Sequence, residues 1–149
     1  AIIRAVNGFR GIAHRIEYTA TKNGIAFYDD SKGTNVDAVR RALQTFDQPI
    51  VLLLGGRDKE GDFETLASVI RERVKHLILF GEARDRIEER LSGIVPTEKI
   101  PSLGPAVEAA YRRASEGDVV LLSPGCASFD EFTDYKARGR FFKEVVGRL

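Results

Sequence analysis

Four short stretches carry most of the side chains able to do chemistry: Asp29-Asp30-Ser31-Lys32-Gly33-Thr34-Asn35, Gly55-Gly56-Arg57-Asp58-Lys59-Glu60-Gly61-Asp62, Gly81-Glu82-Ala83-Arg84 and Ser123-Pro124-Gly125-Cys126-Ala127-Ser128. They hold the cations Lys32, Arg57, Lys59 and Arg84, the hydroxyls of Thr34, Ser123 and Ser128, and a set of glycines. Cations and hydroxyl donors gathered near helix N-termini suit a carboxylate or a phosphate. Lys32 and Lys59 carry this reading furthest, because each lies in a short glycine-bearing turn rather than on a helix face. The hydroxyls have a second explanation. Thr34 opens Thr-x-x-Asp and Ser128 opens Ser-x-x-Glu, the pattern in which a hydroxyl caps a helix start. The glycines could equally serve tight turns. Ligand binding and capping both remain open at this level.

Other reactive types read more plainly. Cys126 is the single cysteine and has no evident base partner, which fits a buried structural thiol. The two histidines, His14 and His76, are too far apart to suggest a metal site. His76 falls at the entry of a strand. His14 stands beside Arg15 in a stretch that reads as a hinge, where closing domains could meet a ligand. Neither G-x-x-x-x-G-K-[ST] nor G-x-G-x-x-G occurs, so the chain has no recognisable nucleoside-phosphate cradle. The run Arg84-Asp85-Arg86-Ile87-Glu88-Glu89-Arg90 reads as a solvated helix face.

The elements that must position these residues alternate between strand and helix. Ile16 to Thr19 and Ile25 to Tyr28 read as a hairpin across Asn23-Gly24, a strong turn signal. Val36, Val39, Leu43 and Phe46 form a helical stripe, followed by the apolar strand Ile50 to Leu54. Phe63, Leu66, Ile70 and Val74 form a second stripe before the strand Leu77 to Phe80. Ile87 and Leu91 anchor a third helix, with a weak strand around Lys99 and Ile100. Gly104 and Pro105 open a fourth helix, Val119 to Leu122 is a buried strand, and Phe132, Tyr135, Phe142, Val145 and Leu149 mark a final helix. Repeated strand-then-helix units predict an α/β fold: a doubly wound, mostly parallel, Rossmann-like sheet flanked by helices, with an N-terminal β-hairpin. In such a sheet ligands bind beyond the carboxyl ends of the strands, where all four stretches fall.

Composition bounds the function. The chain of 149 residues carries 23 Lys plus Arg against 22 Asp plus Glu, a net charge of +1, so no basic excess points to nucleic acid or an anionic membrane. No apolar run approaches the roughly 20 residues of a membrane span. The chain has no Met and begins at Ala1, which reads as a segment of a longer protein or a processed N-terminus. Residues 1–12 break the alternation and read either as the tail of a preceding domain plus hinge or as an ordinary N-terminal helix; residues 13–149 form the main domain.

Taken together, His14-Arg15, Asp30-Ser31-Lys32-Gly33-Thr34-Asn35, Leu54-Gly55-Gly56-Arg57-Asp58-Lys59 and Leu122-Ser123-Pro124-Gly125-Cys126-Ala127-Ser128-Phe129-Asp130 closely resemble the C-terminal domain of the D-glutamate-adding Mur ligases. The match runs in order along essentially the whole chain. The resemblance implies a cytoplasmic, monomeric, ATP-dependent ligase of peptidoglycan precursor synthesis, serving cell shape and division. In that family ATP phosphorylates the carboxylate of UDP-N-acetylmuramoyl-L-alanine and the amine of D-glutamate attacks the acyl phosphate. It also implies that residues 1–12 end a central ATPase domain, that the P-loop and the magnesium ligands belong to that domain, and that the isolated fragment is inactive. Carried over by position, Thr34 and Lys59 would hold the α-carboxylate of D-glutamate. Ser128 and the backbone near Tyr135 would hold its side-chain carboxylate, and Tyr135 departs from a Phe expected in some relatives. His14, Arg15 and Asp30 would approach ATP, with Arg15 aimed at the phosphates and Asp30 at the ribose hydroxyls. Lys32 matches a site lysine that could face either phosphate or glutamate. No catalytic residue and no metal ligand is assigned within the chain. A Mur-type or folylpolyglutamate-type ligase for another amino acid is the alternative. A receiver-type phosphoacceptor, suggested by Asp29-Asp30, lacks the Asp it needs where the chain has Leu54-Gly55-Gly56.

Overall fold

In the computed structural model, residues 13–58 and 60–149 are described. The reading of residues 1–12 as tail and hinge, and the ligand role of Lys59, lie outside them. The chain opens with an antiparallel hairpin, β1 (Glu17–Lys22) and β2 (Ile25–Asp29). Asn23 and Gly24 both have positive φ, 52° and 77°, the backbone that a two-residue hairpin turn requires. There follow α1 (Val36–Gln44), β3 (Ile50–Gly55), a 3-10 turn (Phe63–Leu66), α2 (Ala67–Arg73), β4 (Val74–Phe80), α3 (Arg84–Leu91), β5 (Thr97–Ile100), α4 (Leu103–Arg113), β6 (Val119–Leu122) and α5 (Tyr135–Gly147).

The six strands form one sheet in the order β1-β2-β6-β3-β4-β5, parallel everywhere except at the hairpin. This is the predicted doubly wound architecture. Its two faces are filled by alternate residues of the same strands. Leu52 and Leu54 join Leu77, Leu79 and Leu121 beneath α1, α2 and α3. Val51 and Leu53 join Ile78, Val120 and Leu122 beneath α4 and α5. Strands covered on both sides have no reason to alternate polar residues, which is why β3 and β6 are apolar throughout. No helix among the described residues is long and apolar enough to cross a membrane.

Three boundaries differ from expectation. Val74 leaves the second helical stripe: its backbone is extended and it pairs with Ile50, so β4 begins there and the preceding helix starts as a 3-10 turn. Phe132 lies outside the last helix, which Asp134 caps by accepting the N–H of Ala137 at 2.8 Å. The first strand begins at Glu17 and runs to Lys22 rather than spanning Ile16 to Thr19.

Candidate functional site

The loops at the carboxyl ends of β2, β3, β4 and β6 meet on one rim and are laced by main-chain hydrogen bonds. Gly125 donates to the carbonyl of Gly33 at 2.8 Å, Arg57 and Ala127 exchange two bonds of 2.9 Å each, and Ala83 donates to Gly56 at 2.8 Å. Glu82 donates to the Asp130 carboxylate at 2.9 Å. A rim tied in this way has a fixed shape, which a site needs if it is to orient a ligand.

Neither capping pattern operates. The α1 helix is capped by Asn35, whose side-chain oxygen accepts the N–H of Ala38 at 2.9 Å, one residue beyond Thr34. Ser128 lies six residues before the Asp134 cap, in a turn where its carbonyl accepts the N–H groups of Glu131 and Phe132. The Glu131 carboxylate reaches instead to the N–H of Leu103 at the start of α4. The hydroxyls of Thr34 and Ser128 are therefore not committed to helix ends. They line one cleft of about 180 Å³ together with Tyr135, Ala127, Phe129 and Asp134. The cleft sits at the N-terminus of the thirteen-residue helix α5, where the helix dipole favours an anion. Thr34 also borders a neighbouring cavity of about 650 Å³ that includes Asp58 and Gly61.

Arg15, Asp30 and Lys32 line a different cavity of about 270 Å³, joined by Arg41. Lys32 thus groups with the residues assigned to the nucleotide, not with Thr34, Ser128 and Tyr135. Asp30 is buried, with one carboxyl oxygen accepting from the Ser123 hydroxyl at 2.7 Å and the other from the N–H of Ile16 at 3.1 Å. Burial pushes its carboxyl up to about 7, with the Asp29 charge adding to the rise and the two hydrogen bonds opposing it. His14 is buried, its Nδ1 2.6 Å from Asp29 Oδ2 and its ring edge-on to Tyr135 at 6.2 Å. It therefore stands between the two groups of site residues.

Not every predicted cation converges. Arg57 is exposed and pairs with Glu82 at 3.2 Å. Arg84 turns back on the carbonyl of Gly81 at 2.7 Å. Each is taken up by its own side of the rim, and neither lines the three cavities above. Cys126 is buried as expected, and burial pushes its thiol up to about 12.

The most consequential residue missed by sequence reasoning is Arg138. It is 1% exposed, yet it donates from Nη1 to the carbonyl of Cys126 at 3.0 Å and from Nη2 to that of Ser31 at 2.8 Å. One guanidinium thereby joins the loop carrying Lys32 and Thr34 to the loop carrying Ser128. Burial pulls its value down to about 10, so it remains a cation at neutral pH. The signal was present: Arg138 falls on the apolar stripe of the last helix, three residues after Tyr135 and four before Phe142. Gly139 was likewise missed. A Cβ there would overlap His14 Nδ1 and lie 2.7 Å from Asp29 Oδ2, so α5 can approach His14 and Asp29 this closely only with glycine.

Among the described residues, one histidine and carboxylate group has the spacing of a metal site: His14, Glu17 and Asp29, with ligand atoms within 4.8 Å of one another. The Lys143 ammonium already lies 2.8 Å from Glu17 Oε1 and 3.9 Å from Asp29 Oδ2. The protein itself supplies the positive charge there.

A family model described as Mur ligase, glutamate ligase domain, matches residues 14–126. The chain is 68% identical over 145 residues to the UDP-N-acetylmuramoylalanine–D-glutamate ligase of Syntrophus aciditrophicus, covering 97% of this chain and 32% of that protein. It is 49% identical over 146 residues to the enzyme of the same name from Geotalea daltonii, covering 98% of this chain and 32% of that one. The chain thus spans about a third of the length of the curated relatives it matches. Two solved structures share the fold. One is the UDP-N-acetylmuramate-alanine ligase from Thermotoga maritima, with a TM-score of 0.64 and 18% identity over 97% of this chain and 32% of that one. The other is the bifunctional folylpolyglutamate synthase/dihydrofolate synthase from Yersinia pestis complexed with AMPPNP and Mn ion, with a TM-score of 0.60 and 18% identity over 93% of this chain and 31% of that one.

The role of Arg138 yields a stability prediction. Arg138→Ala leaves two buried carbonyls without donors and opens a cavity, and is expected to cost about 3–5 kcal/mol in urea denaturation. Arg140→Ala, at an exposed position on the same helix, should stay within about 0.5 kcal/mol of the parent. Equal effects would deny Arg138 its bridging role. Asp30 yields a second prediction. A carboxyl raised in the folded state destabilises the fold as it ionises, so this contribution declines from about pH 4 to about pH 7. Asp30→Asn should flatten that decline in a series of urea titrations; an unchanged slope would contradict it.

Proposed function

The chain belongs to the Mur ligase family, as its glutamate ligase domain, and on that premise we propose that it is the amino-acid-holding domain of an ATP-dependent ligase joining D-glutamate to UDP-N-acetylmuramoyl-L-alanine. The observation that carries the choice of D-glutamate is the 68% identity along 97% of the chain to a ligase of that specificity. The meeting of Thr34, Ser128 and Tyr135 in one cleft fits the holding of a carboxylate there.

D-Glutamate is a dianion with an amine between its carboxylates, and it needs fixed donors at both ends if the amine is to face an electrophile. Thr34 and Lys59 take the α-carboxylate. The Ser128 hydroxyl and the first N–H groups of α5, at Tyr135, take the side-chain carboxylate. The amine nitrogen then bonds to the carbonyl carbon of an acyl phosphate formed from ATP. The carbon–oxygen bond to phosphate breaks, phosphate leaves with the electron pair, and the nitrogen gives up a proton. This domain supplies orientation rather than a covalent partner. Arg15 and Lys32 offer cations to the phosphates of ATP, and Lys32 belongs here because it shares a cavity with Arg15 and Asp30. Asp30, raised to about 7, can accept from or donate to a ribose hydroxyl. Magnesium would supply charge neutralisation at the phosphates, and the reading assigns its ligands to the preceding ATPase domain, of which residues 1–12 would be the tail. We read the ligase as a cytoplasmic monomer of peptidoglycan precursor synthesis.

Steady-state kinetics of the full ligase test the assignment. Ser128→Ala and Lys59→Ala should each raise the KM for D-glutamate roughly tenfold or more, since a hydrogen bond to a charged group is worth about 1.5–3 kcal/mol. The KM for ATP should change less than about twofold. Equal effects on both substrates would discredit the site. Preference of the parent enzyme for a different amino acid would replace D-glutamate with that substrate.

A further inference from the structure

The stretch leaving β3 holds Lys59, and its described residues on either side are tied down. Upstream, the Gly56 carbonyl accepts the N–H of Ala83 at 2.8 Å, and Arg57 exchanges two main-chain bonds with Ala127. Nearer to Lys59 in the sequence, Asp58 Oδ1 accepts the N–H of Gly61 at 2.7 Å, which closes a turn between them. Glu60 stands in that turn with φ 60°, a left-handed backbone that a residue with a Cβ keeps only where its surroundings impose it.

What imposes it comes from α3. Arg86 Nη1 donates both to Asp58 Oδ2 and to the carbonyl of Gly61, the latter at 3.2 Å, so one nitrogen holds the two ends of the turn. The guanidinium carbon lies 5.8 Å from the centre of the Phe63 ring, close enough for the ring face to attract the cation. The Asp58 side chain is 10% exposed and that of Arg86 36%. A carboxylate this buried needs its countercharge. Without Arg86 it would have to turn toward water, and the turn it closes with Gly61 would open with it. Arg86 lines none of the three cavities described above, whereas Asp58 and Gly61 border, with Thr34, the one of about 650 Å³. Arg90, one turn further along α3, pairs with Glu64 at 3.2 Å, exposed at both ends and outside the turn.

We infer that Arg86 is a positioning residue: by pairing with Asp58 and Gly61 it sets the backbone from which Lys59 reaches the α-carboxylate of D-glutamate. The inference rests on the role that the proposed function gives Lys59. Orientation of a donor is what such a contact contributes, so losing it weakens the hold on the amino acid and leaves the nucleotide side alone. Because a single nitrogen serves both acceptors, an ammonium with its three donors can stand in for it.

The experiment is steady-state kinetics of the full ligase. Arg86→Met keeps an apolar stem over Phe63 and removes the pair; it should raise the KM for D-glutamate roughly threefold or more, while the KM for ATP moves less than about twofold. Arg86→Lys should recover most of that loss, and Arg90→Met should leave both constants at the parent values. In a Lys59→Ala background Arg86→Met should add less than about twofold, because a residue that acts through Lys59 then has nothing left to position. A smaller rise in Arg86→Met, a parallel rise in the KM for ATP, no recovery in Arg86→Lys, or an undiminished rise in the Lys59→Ala background would overturn the inference. Arg86→Ala answers to the same limits, so failure of one variant to fold leaves the other decisive. If Lys59→Ala raises the KM for D-glutamate and Arg86→Met does not, the inference alone fails. If Lys59→Ala leaves that KM unchanged, the assignment of Lys59 fails and the inference falls with it.

Discussion

A buried guanidinium whose donors reach two main-chain carbonyls is the constraint on which the rest of the rim depends. Taking a charge out of water costs several kcal/mol unless its donors are satisfied. Arg138 meets that demand in part, its Nη1 and Nη2 binding the carbonyls of Cys126 and Ser31 while its buried Nε has no partner, and no salt bridge to a carboxylate forms among the described residues. The demand is reciprocal, because the two carbonyls lie in loops that have left the sheet and have no ladder partner of their own. Loop after β2, loop after β6 and helix α5 are thereby fixed as one unit, and the cleft between Thr34, Ser128 and Tyr135 is the space they enclose.

The sheet makes this economical. Because β6 lies between β2 and β3, the loops leaving all three strands emerge side by side although they are distant in the chain. The same helix that supplies Arg138 supplies Tyr135 to the cleft, Gly139 to the His14–Asp29 contact and Lys143 to its charge balance. Successive turns of α5 therefore serve the cleft, the loops and the histidine in order.

Much of this was legible from residue types. Asn23-Gly24 announced the hairpin, and the wholly apolar runs Ile50 to Leu54 and Val119 to Leu122 announced central parallel strands. The loop after β2 held Lys32 and Thr34, and the loop after β6 held Ser128. What was not legible depended on competition between neighbours. Thr34 and Asn35 both can cap a helix, and only the backbone shows that Asn35 does. Val74 suits either a helix stripe or a strand, and pairing with Ile50 decides it. Arg57 and Arg84 sit in the right loops, but Glu82 and the Gly81 carbonyl take them up. Arg138 was hidden by the opposite effect: a charged residue on an apolar stripe is read past, because its partners are main-chain carbonyls that leave no mark in the sequence.

The most direct measurement of the central claim is a crystal structure of the full ligase bound to D-glutamate. It should show one carboxylate within about 2.7–3.2 Å of the Ser128 hydroxyl and the first N–H groups of α5, the other beside Thr34, and Arg138 still joined to Ser31 and Cys126. D-Glutamate seated elsewhere on the rim, with the Thr34, Ser128 and Tyr135 cleft left to water, would contradict it.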